Sequence, residues 1–592
     1  MDDAAIRHEG GGEGIIDEEI IIGDERIDDG DDVNEDEEEI REHREKVRRQ
    51  VDDNDPSLSE IWIGNEEGNE IMPNDGDWKG FGASMGRNTH INELSFSLDT
   101  SQMGVQVVHF FRGLAMNRCI QRLIIFAGIV SQFDEIFLLF VPFFRDNLKL
   151  DGLEINYRGH RDGCLSRIVF ALGQFYSLRD FSLSCNDVLS IREGRDSSCV
   201  ELIEALVGHV GLHSLCFDCV PIGRDACSAL AKLLRIRGSV LESLTLIETQ
   251  MDDEGADILS SGLVGNYRLT NLQIGGVNCL TDIGWQSIFA MLKSPQCKLE
   301  SLDLGSTDIN DAVARSLTNA LSCNSTLKKL SLKRIHSITD LGWRNLFVGL
   351  LQGPHCMLEN LDLSDSGGVS SESMIESLAS ALTRNIHLKE LHLCNIINIT
   401  SVGWQSFANF LLNPNSALRE LDLTGIAIND NIMSAFASVL SRNNQLWKFL
   451  FDNGGNLGQI SSVGYAAFSR MLCDTSTILD TYHSNHTLTN SGFCSLTVRL
   501  WYKDIYPLLT INRDYGIRQT ARIKIIRSHF SGSDISTQVF SVMKLCVLPT
   551  AIAWMGHNNG SHGGRNLMFE FLRKEPLVCD MKHMSKKRKA VD

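Results

Sequence analysis

The sequence predicts an α/β solenoid, in which similar strand–helix units stack along one axis. Three observations carry the prediction: an apolar motif recurs in register, each copy changes from period-two to helical spacing, and a glycine–tryptophan pair marks alternate copies.

The motif L-x-x-L-x-L opens at Leu241 (LESLTL), Leu269 (LTNLQI), Leu299 (LESLDL), Leu327 (LKKLSL), Leu358 (LENLDL), Leu388 (LKELHL) and Leu418 (LRELDL), at intervals of 28, 30, 28, 31, 30 and 30 residues. Looser copies extend it back through Leu212, Leu178, Leu150, Ile120 and Ile91, and forward to Leu446 (LWKFLF), giving thirteen units between about residues 91 and 478. Each begins with the alternation of a half-buried strand and continues with apolar residues three and four apart, as a helix requires. A single unit cannot bury both apolar faces, so the units must stack.

This pattern resembles the leucine-rich repeat proteins of the ribonuclease-inhibitor-like class. The resemblance covers about two thirds of the chain and implies a horseshoe with parallel strands on the concave face and helices on the convex face. The family usually places Asn or Cys just after the strand motif. Here Thr249, Val277, Thr307, Ile335, Ser366, Ile396 and Ile426 stand there, so these loops are expected to be held by apolar packing rather than by a side-chain ladder.

Alternate units carry TDIGWQSIF from Thr281, TDLGWRNLF from Thr339, TSVGWQSFA from Thr400 and, more weakly, SSVGYAAF from Ser461. Thr339 or Asp340 suits an N-cap. Gly342 then falls in the first helical turn, where glycine costs roughly 1 kcal/mol against alanine; close approach of a neighbouring backbone is the expected reason. Trp343 shares a helix face with Leu346, Phe347 and Leu350, while the intervening units place Ala256, Ala314, Ile375 and Met433 at its position. Alternating bulk is the expected mark of packing between helices; a convex aromatic docking stripe is the competing reading. Units with the pair close on Pro295, Pro354 or Pro414, and those between close on Asn266, Asn324, Asn385 or Asn443. Proline cannot continue a helix, and Asn tolerates a left-handed cap.

Along the implied concave face, the second motif position reads Glu242, Thr270, Glu300, Lys328, Glu359, Lys389, Arg419 and Trp447. Neighbouring opposite charges there can stabilise one another. The fifth position reads Thr245, Gln273, Asp303, Ser331, Asp362, His392 and Asp422, a column of carboxylates on every second strand with no basic residue inside it. Asp303, Asp362, Asp422, Gln273, Ser331, His392, Lys328 and Lys389 are therefore the candidate partner-binding residues. No one-signed basic stripe is present, so a protein partner is expected rather than nucleic acid.

Residues 1–79 hold 29 acidic and 8 basic residues, which leaves 47 of each in the rest of the chain. The expected organisation is an acidic disordered tail (1–57), an N-terminal cap (58–90), about 13 repeat units (91–478), a mainly helical C-terminal cap (479–575) and a basic tail (576–592). Within the acidic tail, Glu42 before Lys46 and Glu45 before Arg49 favour a solvated helix. Lys586, Lys587, Arg588 and Lys589 resemble a short nuclear import signal. The start lacks a basic and then apolar leader, so an intracellular location, cytoplasmic or nuclear, is expected. The longest apolar passage, IIFAGIVSQFDEIFLLFVPFF, is interrupted by Asp134 and Glu135 and reads as core rather than as a membrane span.

The 16 cysteines are expected to be reduced, and the isolated pair Cys216 and Cys219 lacks a second pair at zinc-site spacing. Phosphate-binding, nucleophile-elbow and zinc-protease motifs are missing, so neither catalytic residues nor a cofactor or metal is assigned. The expected function is a non-catalytic protein-interaction scaffold. The alternatives are a GTPase-activating regulator of the Ran-activator type and a ubiquitin-ligase substrate adaptor.

Overall fold

The computed structural model describes residues 42–529 apart from 44, 64–76, 98–106, 128–137, 158–163, 186–195, 237, 354, 367–370, 452–459 and 492–503. Most of the acidic tail and Lys586, Lys587, Arg588 and Lys589 therefore lie outside the described residues.

Among the described residues, fourteen strands follow chain order through one parallel sheet: β1 (Glu60–Ile63), β2 (Glu93–Ser97), β3 (Arg122–Ala127), β4 (Gly152–Tyr157), β5 (Asp180–Cys185), β6 (Ser214–Asp218), β7 (Ser243–Ile247), β8 (Asn271–Gly275), β9 (Ser301–Asp303), β10 (Lys329–Ser331), β11 (Asn360–Asp362), β12 (Glu390–His392), β13 (Glu420–Asp422) and β14 (Lys448–Leu450). Helices alternate with them, so the fold is the α/β solenoid that the repeat predicts. The thirteen motif copies supply β2–β14. Glu60–Ile63 adds β1 ahead of them, with Glu60 opposite Glu93, and beyond β14 Asn490 forms a parallel bridge with Lys448.

The two later leucines of each motif point into the layer between sheet and helices; Leu302, Leu304, Leu361, Leu363, Leu391 and Leu393 are at most 1% exposed. Parallel strands covered on one side by helices need such apolar positions on that face. Just past each of these strands one residue adopts left-handed backbone, at Glu248, Gly276, Ser306, Arg334, Asp365, Asn395 and Gly425. Next to it, Val277, Ile335, Ile396 and Ile426 are buried, so apolar packing does hold these loops. Backbone bonds also join successive loops, since the amides of Glu248, Ser306, Arg334, Asp365 and Asn395 donate to carbonyls of the next unit at 2.8–2.9 Å, and Ser366 Oγ adds a side-chain bridge by donating to Leu332 O at 2.6 Å and accepting from Ile335 N at 3.0 Å.

A ladder of side chains exists, but at the other end of the helices. Asn266, Asn324, Asn385 and Asn443 each donate through Nδ2 to a carbonyl of the preceding unit, namely Leu234, Leu292, Leu351 and Leu411, at 2.8–3.0 Å. Each Oδ1 accepts from the amides two and three residues onward, as Asn385 does from His387 and Leu388 at 3.0 and 2.7 Å. The left-handed cap expected of these asparagines is absent: Asn266 is extended, with φ −88° and ψ 128°, and none of the four has positive φ. Their role is to satisfy buried backbone groups across two units.

The glycine–tryptophan pair also has a different cause from the one expected. Thr339 is the N-cap of helix Asp340–Leu351, and its hydroxyl accepts from Gly342 N. What crowds Gly342 is the carboxylate of Asp311, the first residue of the preceding helix, rather than a neighbouring backbone; a methyl group on Gly342 would collide with it. Asp311 accepts from Thr339 N at 2.8 Å and from Thr339 Oγ1 at 2.6 Å. Asp253 does the same for Thr281, Glu372 for Thr400 and Asp430 for Ser461. Each such helix thus receives a carboxylate at its positive end from the helix before it. Trp285, Trp343 and Trp404 are each 1% exposed, and Trp343 stacks on Phe347 with centroids 5.3 Å apart. They are packing residues, which removes the convex docking stripe.

At the start, the helix over residues 45–52 is docked rather than fully solvated: Val51 is buried and the Arg48 guanidinium lies 4.8 Å from the Phe81 ring centroid. At the far end, helices Tyr506–Asp514 and Ile517–His529 cover the last repeat helix. Lys524 is 1% exposed and donates to Leu472 O and Asn485 O at 2.6 and 2.9 Å. Burial lowers its ammonium pKa to about 7.

Two outcomes test this account. Gly342→Ala should destabilise the protein although alanine favours helix by about 1 kcal/mol, and should do so less in an Asp311→Ala background; urea unfolding of the double-mutant cycle reads the coupling, and additive effects would refute it. Asn385→Leu should cost about 1–3 kcal/mol by stranding the buried Leu351 carbonyl and Leu388 amide, and an unchanged urea midpoint would remove the ladder from the account.

Candidate partner-binding face

The period-two alternation that buries the motif leucines turns the third and fifth motif positions to the concave surface. Parallel pairing aligns the fifth positions into a row: Gln273 lies opposite Asp303, Asp303 opposite Ser331, Ser331 opposite Asp362, Asp362 opposite His392, and His392 opposite Asp422. Neighbours in such a row stand about 4.8 Å apart. All six side chains are half-buried.

The three aspartates also shape the chain. Oδ1 of Asp303, Asp362 and Asp422 accepts from the backbone amide two residues on, of Gly305, Ser364 and Thr424, at 2.9, 2.9 and 3.0 Å. These bonds brace the turn into the left-handed residues Ser306, Asp365 and Gly425. One carboxylate oxygen of each is thus occupied locally, and the column is less isolated than the motif alone implies. Lys333, from the turn after β10, reaches Asp303 Oδ2 at 3.5 Å, and His392 Nδ1 lies 3.7 Å from Asp422 Oδ2.

The pair His392 and Asp422 is the strongest electrostatic feature of the row. The Asp422 carboxylate beside His392 raises the imidazole pKa, against the effect of burial and with help from the Asp362 charge. Burial alone would raise Asp422, but hydrogen bonds from His392 and Thr424 hold it down at about 2. Burial and the Asp422 and Asp362 charges push the adjacent Cys394 thiol to about 11, so it is not a ready nucleophile.

The second-position residues sit one step ahead of the strands, and their charges cancel in pairs. Lys328 meets Glu300 at 2.9 Å and Lys389 meets Glu359 at 2.7 Å. The structure therefore separates the eight candidate residues into a lateral row of six and two rim lysines already matched.

A second concave row escaped the reading of the motif. The third positions Ser301, Lys329, Asn360, Glu390, Glu420 and Lys448 pair laterally beside the first row. Lys448 bonds Glu420 at 2.9 Å, and Asn360 donates to Glu390. The signal was present in the alternation itself, because positions three and five are the ones that flank a buried leucine.

Among the described residues no group of three or more His, Cys, Asp or Glu is placed to hold a metal ion, and Cys216 and Cys219 are thiols rather than a disulfide. Cys219 Sγ donates to Glu248 at 3.2 Å, and burial together with that carboxylate raises its pKa. No helix among the described residues is long and apolar enough to cross a membrane.

No family model matches the chain. It is 31% identical over 245 residues to the mouse protein "NACHT, LRR and PYD domains-containing protein 14", covering 41% of this chain and 24% of that protein. To the human "NACHT, LRR and PYD domains-containing protein 5" it is 29% identical over 38% of this chain and 18% of the relative. To pig "Ribonuclease inhibitor" it is 28% identical over 287 residues, 43% of this chain and 62% of the inhibitor. The chain thus spans less than two thirds of the length of each of these relatives. With its strand–helix repeat and a parallel sheet that follows chain order, the chain has a leucine-rich repeat solenoid fold and is similar to leucine-rich repeat proteins of the ribonuclease-inhibitor-like class.

Proposed function

We propose that this protein is a non-catalytic scaffold that binds a protein partner across the concave face of its solenoid. One observation carries the reading: Gln273, Asp303, Ser331, Asp362, His392 and Asp422 form a continuous polar row at strand spacing on one rigid sheet. A relative named as a ribonuclease inhibitor, an agent that acts on a protein, supports the general class. Three carboxylates in the row, against one histidine and one neighbouring lysine, favour a partner of mixed or basic surface over a polyanion. Lys328 and Lys389, already paired, belong to the rim and should steer more than they anchor.

On this reading Lys586, Lys587, Arg588 and Lys589 are a candidate nuclear import signal, and the scaffold acts in the cytoplasm or the nucleus. The repeat core supplies the binding surface.

Replacing Asp303, Asp362 and Asp422 together with Asn keeps the Oδ1 acceptor of each turn and removes three charges. Affinity capture from native lysate should lose one or more partners retained by the wild type, with far-ultraviolet circular dichroism unchanged; an identical partner set would reject the row as the binding surface. The His392–Asp422 pair adds a pH signature. Because the folded pKa of His392 is raised, its stabilising contribution is complete below the ordinary histidine pKa of about 6.5 and is lost as pH rises through the folded value. The stability difference between wild type and His392→Asn should therefore be larger at pH 5.5 than at pH 9 in urea titrations, and a difference independent of pH would remove the charged pair.

A further inference from the structure

We propose that the convex surface carries a binding site for a phosphate group, separate from the concave face, in the groove between helices Asp430–Leu440 and Ser462–Leu472. The repeat breaks down here. After Leu472 the chain turns into the short helix Ile478–His483, and the three segments border a cavity of about 470 Å³.

Two cations line that cavity, Arg442 from the end of one helix and Arg470 from the last turn of the next. Both are exposed, and neither guanidinium has a carboxylate or carbonyl partner among the described residues. On the concave face, by comparison, Lys328, Lys333, Lys389 and Lys448 are each matched to an acid, whereas Lys329 and Arg419 are exposed. Two acids also border the cavity, but both are engaged locally. Asp474 Oδ1 accepts from Ser476 N and Oγ at 3.0 and 2.6 Å. Asp480 accepts from Thr477 Oγ1 at 2.6 Å in the first turn of its helix.

Each acid keeps one carboxylate oxygen without a described side-chain or amide partner, but the N–H groups of the two guanidiniums outnumber those two oxygens. Ser434 and Ser438, one helical turn apart, add hydroxyls to the two guanidinium forks, and His483 also lines the cavity. Planar guanidinium groups bind phosphate oxygens bidentately, and a phosphate offers more acceptor atoms than a carboxylate for a set of four donors. The opposing account is that the two arginines are solvated and only offset the negative ends of their helices.

Isothermal titration of the full-length chain with inorganic phosphate at low ionic strength distinguishes the two. A single site with a Kd below about 1 mM is expected, weakened by roughly tenfold in Arg442→Gln and in Arg470→Gln. Unchanged thermal unfolding of both variants would show that the fold is intact. The Asp303, Asp362 and Asp422 triple Asn variant should bind phosphate as the wild type does, so failure of the concave reading leaves this one standing. Parallel titration with O-phosphoserine and serine identifies the source. Binding of phosphoserine at least as tight as phosphate assigns the site to a phosphorylated side chain, and tighter binding of phosphate assigns it to the free anion. No heat at millimolar phosphate, or binding insensitive to both substitutions, would overturn the proposal.

Discussion

The amide of Asn385 bonds a carbonyl of the unit before it while its oxygen holds two amides of its own unit, and this dependence of each unit on its neighbour governs the molecule. An isolated unit would leave buried backbone groups stranded and an apolar face open to water. The capping carboxylates follow the same rule. Asp253, Asp311, Glu372 and Asp430 sit on one helix and complete the start of the next. Stability in such a stack grows from interfaces between units, and its weak points are the ends. There Val51 with Arg48 covers the first unit, and Lys524 binds the carbonyl end of the last repeat helix.

The two-unit period arises from this capping. A helix that receives a carboxylate from its predecessor needs space beside its third residue, which is why Gly284, Gly342, Gly403 and Gly464 recur together with Thr281, Thr339, Thr400 and Ser461. The bulky ring that follows is buried beneath the cap, and smaller residues occupy the matching place in the helices between. Electrostatics at helix ends and volume in the core are thus set by one alternating pattern. The concave surface is free of that demand, so its side chains can vary without changing the stack.

That surface is nevertheless partly structural. The aspartates of the fifth row hold their own turns and so have one oxygen left to offer, shared in two cases with Lys333 or His392. A face built this way is pre-organised, since its carboxylates are already fixed by bonds to the backbone.

The strand–helix repeat, its register and the burial of Trp343 were legible in the sequence because periodicity states directly which side chains share a face. Asn385 and its equivalents were visible as helix stops, but their bonds run to residues about thirty positions earlier, a relation that local pattern cannot express. The crowding of Gly342 by Asp311 was hidden for the same reason: the two meet only after the units stack. Residue spacing along one chain determined the elements and their order. Contacts between successive units decided which polar groups were satisfied and which side chains, such as Arg442 and Arg470, remained open, because hydrogen bonds and charges depend on distances that only the stacked fold sets.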